Sequence, residues 1–529
     1  MTPTKLKNNA GLTVKYAKEG IDIFIIASGA VFWMCFYGLA APAPAGTDIY
    51  IFKAAGMNWA LGRGFTALAI PGMQRWGLQS HAYGSYVPGY VMLYGIFAKI
   101  FGASQKASTY YDLIIAIASI FVFYGILRRW LPSGWRWRVA ALLALIMPDG
   151  YIYGGDRPET LAFLGFMLAV ICADGGSRGL AAALAGLVAC ISPFAGILTG
   201  AGIWLVYMFN LDEYNNNPIT VIKDTLRMAG IFFMPLAVLM LAYVWPTPGV
   251  MDEFFAHADG RATGIGVLLH QPFWHEIYLM IFSSGSSSMM MFAVYILTTL
   301  TIIIMNLMLW RSGDKKIKYW LLTVSGWLLA PFILFPHSMS YLAWDRGAAM
   351  ALNLLIIKKY SQAPPLRRVL TAGLMLTCLL LAPWVAQPAI ISWITRHQYA
   401  AAEANAKKFM RYEAKKHPGM PVAVPANAMF LYGRYGATVN PEYFKPVYGL
   451  RLPADSFAGE AVCTFFDQPG QKPPPLPGHP RLLLYSRPPG YARLRLLGRA
   501  IVHGSYQWQC ANYNAIKGKD HQHKTAAPL

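Results

Sequence analysis

Across the first 391 residues of this chain, apolar runs recur at or near the length that crosses a bilayer, and no other feature constrains its fold as strongly. A helix needs about 20 predominantly apolar residues to traverse the hydrocarbon core. Ile23–Ala40, Leu113–Leu127, Ala229–Trp245, Met289–Trp310 and Val369–Ile391 are examples of such runs. Charged residues make up only 13% of the chain, where soluble domains carry about 25%. The pattern predicts an all-α polytopic membrane protein.

Positive charge sets the expected sidedness, because Lys and Arg are retained in cytoplasmic loops. Lys5, Lys7, Lys15 and Lys18 precede the first apolar run. Ala40-Ala41-Pro42-Ala43 has the look of a signal-peptidase site, but the apolar stretch before it is long and further spans follow, so an uncleaved helix is expected. Later basic clusters mark inner turns at Arg128/Arg129/Arg136/Arg138, Arg178, Lys223/Arg227, Arg311/Lys315/Lys316/Lys318 and Lys358/Lys359/Arg367/Arg368. They predict about 11 transmembrane helices, those after the first starting near residues 111, 139, 158, 179, 194, 228, 285, 319, 343 and 369. Residues 1–391 then form the membrane module, with long outer loops at 41–110 and 246–284. Val87–Phe101 is apolar but short and broken by Pro88 and Gly89, so a helix lying at the outer interface is expected there.

From Ser392 the composition changes, and residues 392–515 are expected to form a small α/β domain on the periplasmic side of an inner membrane. Tyr399–Lys416 reads as a charged amphipathic helix; Pro421–Val424, Met429–Tyr432, Ala461–Phe466, Arg481–Ser486, Arg493–Ile501 and Tyr506–Tyr513 read as strands. Residues 516–529 read as a disordered tail. From Ser392 onward the chain holds 18 basic and 7 acidic residues, so +11 of the total +21 lies there. No nucleic-acid motif accompanies this charge, and anionic headgroups are the simpler partner. Four of the six cysteines, Cys35, Cys172, Cys190 and Cys378, lie in apolar runs as small core residues; Cys463 and Cys510 could bond if their domain is periplasmic.

The expected outer face collects the chemically interesting residues. Asp48 follows the first span, where a carboxylate either opens a helix at Ile49 or marks a polar cavity. In Gly154-Gly155-Asp156-Arg157-Pro158-Glu159, Pro158 and Glu159 suit a first helical turn. Arg157 does not, unless an external anion sits there, and phosphate matches a guanidinium well. Trp344-Asp345-Arg346 repeats the theme, with a local ion pair as the alternative. His257-Ala258-Asp259-Gly260-Arg261 lies in a polar loop that could cover a site. His270 and His275 have poor metal spacing, and no phosphate loop or nucleophile elbow is present.

The order of several short motifs resembles the polytopic GT-C glycosyltransferases that use polyprenyl-phosphate sugars. They run Asp48-Ile49-Tyr50, Ala54-Ala55, Gly62-Arg63-Gly64-Phe65, Tyr86-Val87-Pro88-Gly89-Tyr90, Phe101-Gly102, Arg157-Pro158-Glu159 and Gly179–Phe194 with Ser192-Pro193. The resemblance covers roughly residues 20 to 360. It implies inverting sugar transfer to a glycan or lipid acceptor at the outer face, with Asp48 as general base and Arg157 and Arg346 on the donor phosphate. Glu159, Tyr50, His81, Tyr86, His257 and Asp259 are the expected substrate contacts. The adjacent acidic pair of many family members is absent, since Ile49 follows Asp48; neither metal nor other cofactor is expected. A transporter or flippase of a lipid-linked saccharide, or a glycan ligase or polymerase, is the alternative.

Overall fold

In the computed structural model the described residues are 20–35, 48–68, 80–84, 87–130, 158–209 and 218–251, isolated positions and short segments between 404 and 439, and the strands 461–466, 494–496, 499–501 and 507–512. Helix α1 is Gly20–Cys35. Helices α2 (Asp48–Ala60), α3 (Gly89–Phe101) and α4 (Gln105–Trp130) follow, with the short antiparallel strands β1 (Thr66–Leu68) and β2 (Ser80–Ala82) between α2 and α3. Then come α5 (Pro158–Asp174), α6 (Arg178–Ile191), α7 (Pro193–Phe209) and α8 (Pro218–Leu239), the last continuing through a π turn at Met240–Val244.

Two of these helices are long and apolar enough to cross a membrane, at Gln105–Ile126 and Ile219–Val244. The second turns its apolar side chains outward: Leu226, Phe233, Met234, Val238 and Leu241 are 58–70% exposed. Ile23, Phe24, Val31 and Phe32 do the same on α1. An outward apolar stripe of this extent is unfavourable in water and natural against lipid chains.

Small residues let the helices approach. A Cβ on Gly165 of α5 would strike Val188 of α6, and one on Gly186 would strike the Phe232 carbonyl of α8. Gly196 and Gly200 of α7 lie as closely against Ala189 and the Phe232 ring. Close small-residue contact replaces the hydrophobic drive that lipid removes. Between α6 and α7, Ser192 is extended (φ −146, ψ 105), as the residue before Pro193 must be to avoid its ring.

Charges gather where α4 and α5 end and α6 and α8 begin. Arg129 donates to the Ile171 carbonyl at 2.7 Å and lies 3.8 Å from Asp174. Arg178 reaches Asp224 at 3.4 Å and lies 5.0 Å from the Tyr207 ring. This corrects one expectation: α8 begins at Pro218, not near 228, so Lys223 and Arg227 belong to the helix and not to a turn. The Arg178–Asp224 contact holds that charged first part in place. Likewise α4 begins at Gln105, ahead of the expected 111.

The outer-loop interval contains real helices. With 13 residues, α3 rises only about 20 Å, short of the roughly 30 Å hydrocarbon core. In the C-terminal part, β3 (Val422–Ala423), β4 (Thr438–Val439), β5 (Ala461–Phe466) and β8 (Gln507–Asn512) form a sheet of order β4-β3-β5-β8, parallel except for β5–β8. The run expected as one strand over Arg493–Ile501 divides into β6 (Leu494–Leu496) and β7 (Arg499–Ile501), paired antiparallel. Leu497-Gly498 between them is a length suited to a tight hairpin. Within Met429–Tyr432, expected as a strand, Phe430 is helical and buried, with its ring 6.3 Å from that of Tyr94.

Candidate functional site

The site grows from α2. Asp48 is the first residue of α2, and the first turn of a helix favours negative charge. Tyr50 shares that turn. Two turns on, α2 crosses α3 at a pair of glycines. A Cβ on Gly56 would lie 2.7 Å from the Val91 carbonyl, and one on Gly95 would lie 2.6 Å from the Trp59 ring.

Between these features stands Lys53, fully buried. Its Nζ lies 2.6 Å from Asp112 Oδ2 and donates to Ser108 Oγ at 2.8 Å, both on α4. Tyr90 of α3 donates to the other Asp112 oxygen at 3.4 Å. The ammonium also faces the rings of Tyr94 and Tyr111, 5.4 and 5.9 Å from their centroids. One buried cation therefore joins α2, α3 and α4, and its charge is matched inside the protein. It is an anchor for the helix that Asp48 heads.

Beyond α2 the chain turns through Gly62 and Gly64, whose φ values of 76° and 83° suit glycine. Arg63 between them donates from one nitrogen to the carbonyls of Gly433 and Gly436, at 2.7 and 2.9 Å. Burial lowers its pKa from the ordinary arginine value, yet guanidinium remains charged. Phe65 then packs edge-on against Tyr83 and Tyr243, and the Tyr243 hydroxyl donates to the Tyr83 carbonyl at 2.6 Å. The C-terminal part and the far end of α8 thus both rest on the segment that follows α2.

Of the other expected site residues, His81 is the central residue of β2, opposite Ala67. Glu159 lies in the first turn of α5, 6% exposed, beside Pro158 at the helix start. Arg157, Arg346, Tyr86, His257 and Asp259 lie outside the described residues. Among the described residues no three His, Cys, Asp or Glu side chains come together as a metal site requires.

Sequence reasoning missed Lys53 and Asp112, although a signal existed. Lys53 interrupts an apolar helix and Asp112 opens an apolar run; ionisable residues in such places need partners. Asp22 on α1, which accepts from Tyr124 at 3.1 Å, carries the same signal.

No family model matches the chain, and no curated protein matches its sequence. Among solved structures it is similar to ArnT from Cupriavidus metallidurans bound to undecaprenyl phosphate, at 12% identity and a TM-score of 0.50, covering 84% of this chain and 93% of that one. It is also similar to the apo oligosaccharyltransferase of Archaeoglobus fulgidus, at 11% identity and a TM-score of 0.46 over 84% and 69% of the two chains. AglB from the same organism, in complex with an inhibitory peptide and a dolichol-phosphate, matches at 12% identity and a TM-score of 0.41 over 80% and 65%. The ArnT likeness spans most of both chains and establishes a shared helical membrane fold.

Proposed function

We propose that this protein is a membrane glycosyltransferase that takes a sugar from a polyprenyl-phosphate donor and passes it, with inversion, to a glycan or lipid acceptor. The observation that carries this reading is a fold shared with ArnT over nearly the whole of that chain, in a structure bound to undecaprenyl phosphate. The placement of Asp48 at the head of the Lys53-anchored helix supports it. In the reaction an acceptor hydroxyl oxygen attacks the anomeric carbon as its proton passes to the Asp48 carboxylate. The bond from that carbon to the donor phosphate oxygen breaks, and polyprenyl phosphate leaves.

A leaving phosphate requires positive charge, which Arg157 and Arg346 supply in this scheme. Glu159, Tyr50, His81, Tyr86, His257 and Asp259 are the proposed contacts to sugar and acceptor. The site faces the periplasm in this reading, with the C-terminal domain on the same side.

Purified protein in lipid nanodiscs, given a panel of polyprenyl-phosphate sugars and acceptor glycans, should release polyprenyl phosphate. Asp48→Asn should slow that release by about 10²–10⁴-fold, the usual contribution of a positioned base, while the protein still melts like the parent. Full activity of the variant would remove Asp48 from the mechanism. Absence of release with every donor would remove the transferase reading itself.

A further inference from the structure

Strands β5 and β8 pair antiparallel over six residues in unbroken register, from Ala461 opposite Asn512 to Phe466 opposite Gln507. That register sets Cys463 directly opposite Cys510. Directly opposed residues of an antiparallel pair have Cα atoms about 4.5–5.5 Å apart. A disulfide takes Cα separations of about 4.4–6.8 Å. Backbone pairing therefore brings the two residues within bonding range with no further movement of the strands. A slip of one residue would separate them, so the match is a property of this particular register.

These are the only two cysteines after residue 391. The three cysteines of the described helices, Cys35, Cys172 and Cys190, are free thiols in apolar segments. The division follows what an oxidising compartment would produce: thiols kept within the spans, and a matched pair in the soluble sheet. Arg63 adds a second line, since it ties the C-terminal segment around Gly433 and Gly436 to the segment after α2, expected on the outer face.

We propose that Cys463 and Cys510 form a cross-strand disulfide on the oxidising outer side of the membrane. A thiol–disulfide oxidoreductase in its disulfide form is the oxidant. One cysteine thiolate attacks the carrier disulfide, forming a mixed disulfide and releasing one carrier thiolate. The second cysteine thiolate then attacks the mixed disulfide at the protein sulfur, and the carrier departs as a dithiol with two electrons and two protons. The bond encloses the proline-rich stretch Lys472–Pro475 and the β6–β7 hairpin in one covalent loop. It restricts the unfolded chain and holds β8 on β5. This inference does not depend on the sugar-transfer reading.

The test uses the full chain in intact membranes, with N-ethylmaleimide added before solubilisation and digestion carried out without reductant. Mass spectrometry should find the Cys463 and Cys510 peptides joined, at their summed mass less two hydrogen atoms, and separated by reductant. In C463S, Cys510 should become alkylated. Alkylation of both cysteines in the unreduced parent, or a bond from either one to a different cysteine, would overturn the proposal. The parent protein alone decides this, whether or not the variant folds.

Discussion

Lys53 shows how one side chain can organise three helices. A buried charge is costly unless it is matched, and here Asp112 and Ser108 meet the ammonium while Tyr90 donates to the far oxygen of Asp112. Removing one partner of such a pair typically costs about 3–5 kcal/mol, because the other charge stays buried alone. Lys53→Met should therefore lower the melting temperature of the detergent-purified protein sharply. Lys53→Met combined with Asp112→Leu should recover most of that loss, since an apolar pair of similar volume is often neutral or better. Equal melting of the single and double variants would show that the pair is not the anchor. Asp48, by contrast, is expected to leave melting unchanged when replaced by Asn, which separates an anchoring role from a chemical one at two positions of the same helix.

At the scale of elements, the crossing of α2 and α3 depends on absent side chains. Gly56 and Gly95 face each other with no room for a methyl group. Gly95→Val should force the helices apart at a cost of about 1–3 kcal/mol, the usual range for overpacking, read as a fall in melting temperature. A change at Gly102, where a Cβ would meet open space but φ is 91°, tests backbone strain instead of packing. The apolar helices were legible because their signal is compositional: Pro158, Ser192-Pro193 and the Arg178 turn mark the ends of α5, α6 and α7 in plain text. The start of α8 was not, because Lys223, Asp224 and Arg227 look like loop charges until Arg178 is seen beside Asp224. The short apolar run Met429–Tyr432 reads as a strand, but a run this short fits either element, and at Phe430 the chain is helical with the ring beside that of Tyr94. Of the candidate site, the position of Asp48 at a helix head could be read in advance, whereas the Lys53–Asp112 pair depends on residues 59 apart in sequence.

Over the whole molecule, Arg63 is a clasp between the segment after α2 and the chain around Gly433 and Gly436. Its two bonds to carbonyls are charge-assisted, each worth about 1.5–3 kcal/mol. Arg63→Ala should expose the region around Gly433–Gly436 to limited proteolysis while leaving α2, α3 and α4 protected, because the guanidinium bonds run to the carbonyls of Gly433 and Gly436. Unchanged cleavage would mean that the docking rests on Phe430 and Met410, which are also buried. The clasp has a further consequence in time. Its partners lie 370 and 373 residues downstream of Arg63. At roughly 5–20 residues per second of synthesis, the arginine waits about 20–75 s for them. The segment that follows α2 is thus made early and locked late, once Gly433 and Gly436 have emerged from the ribosome.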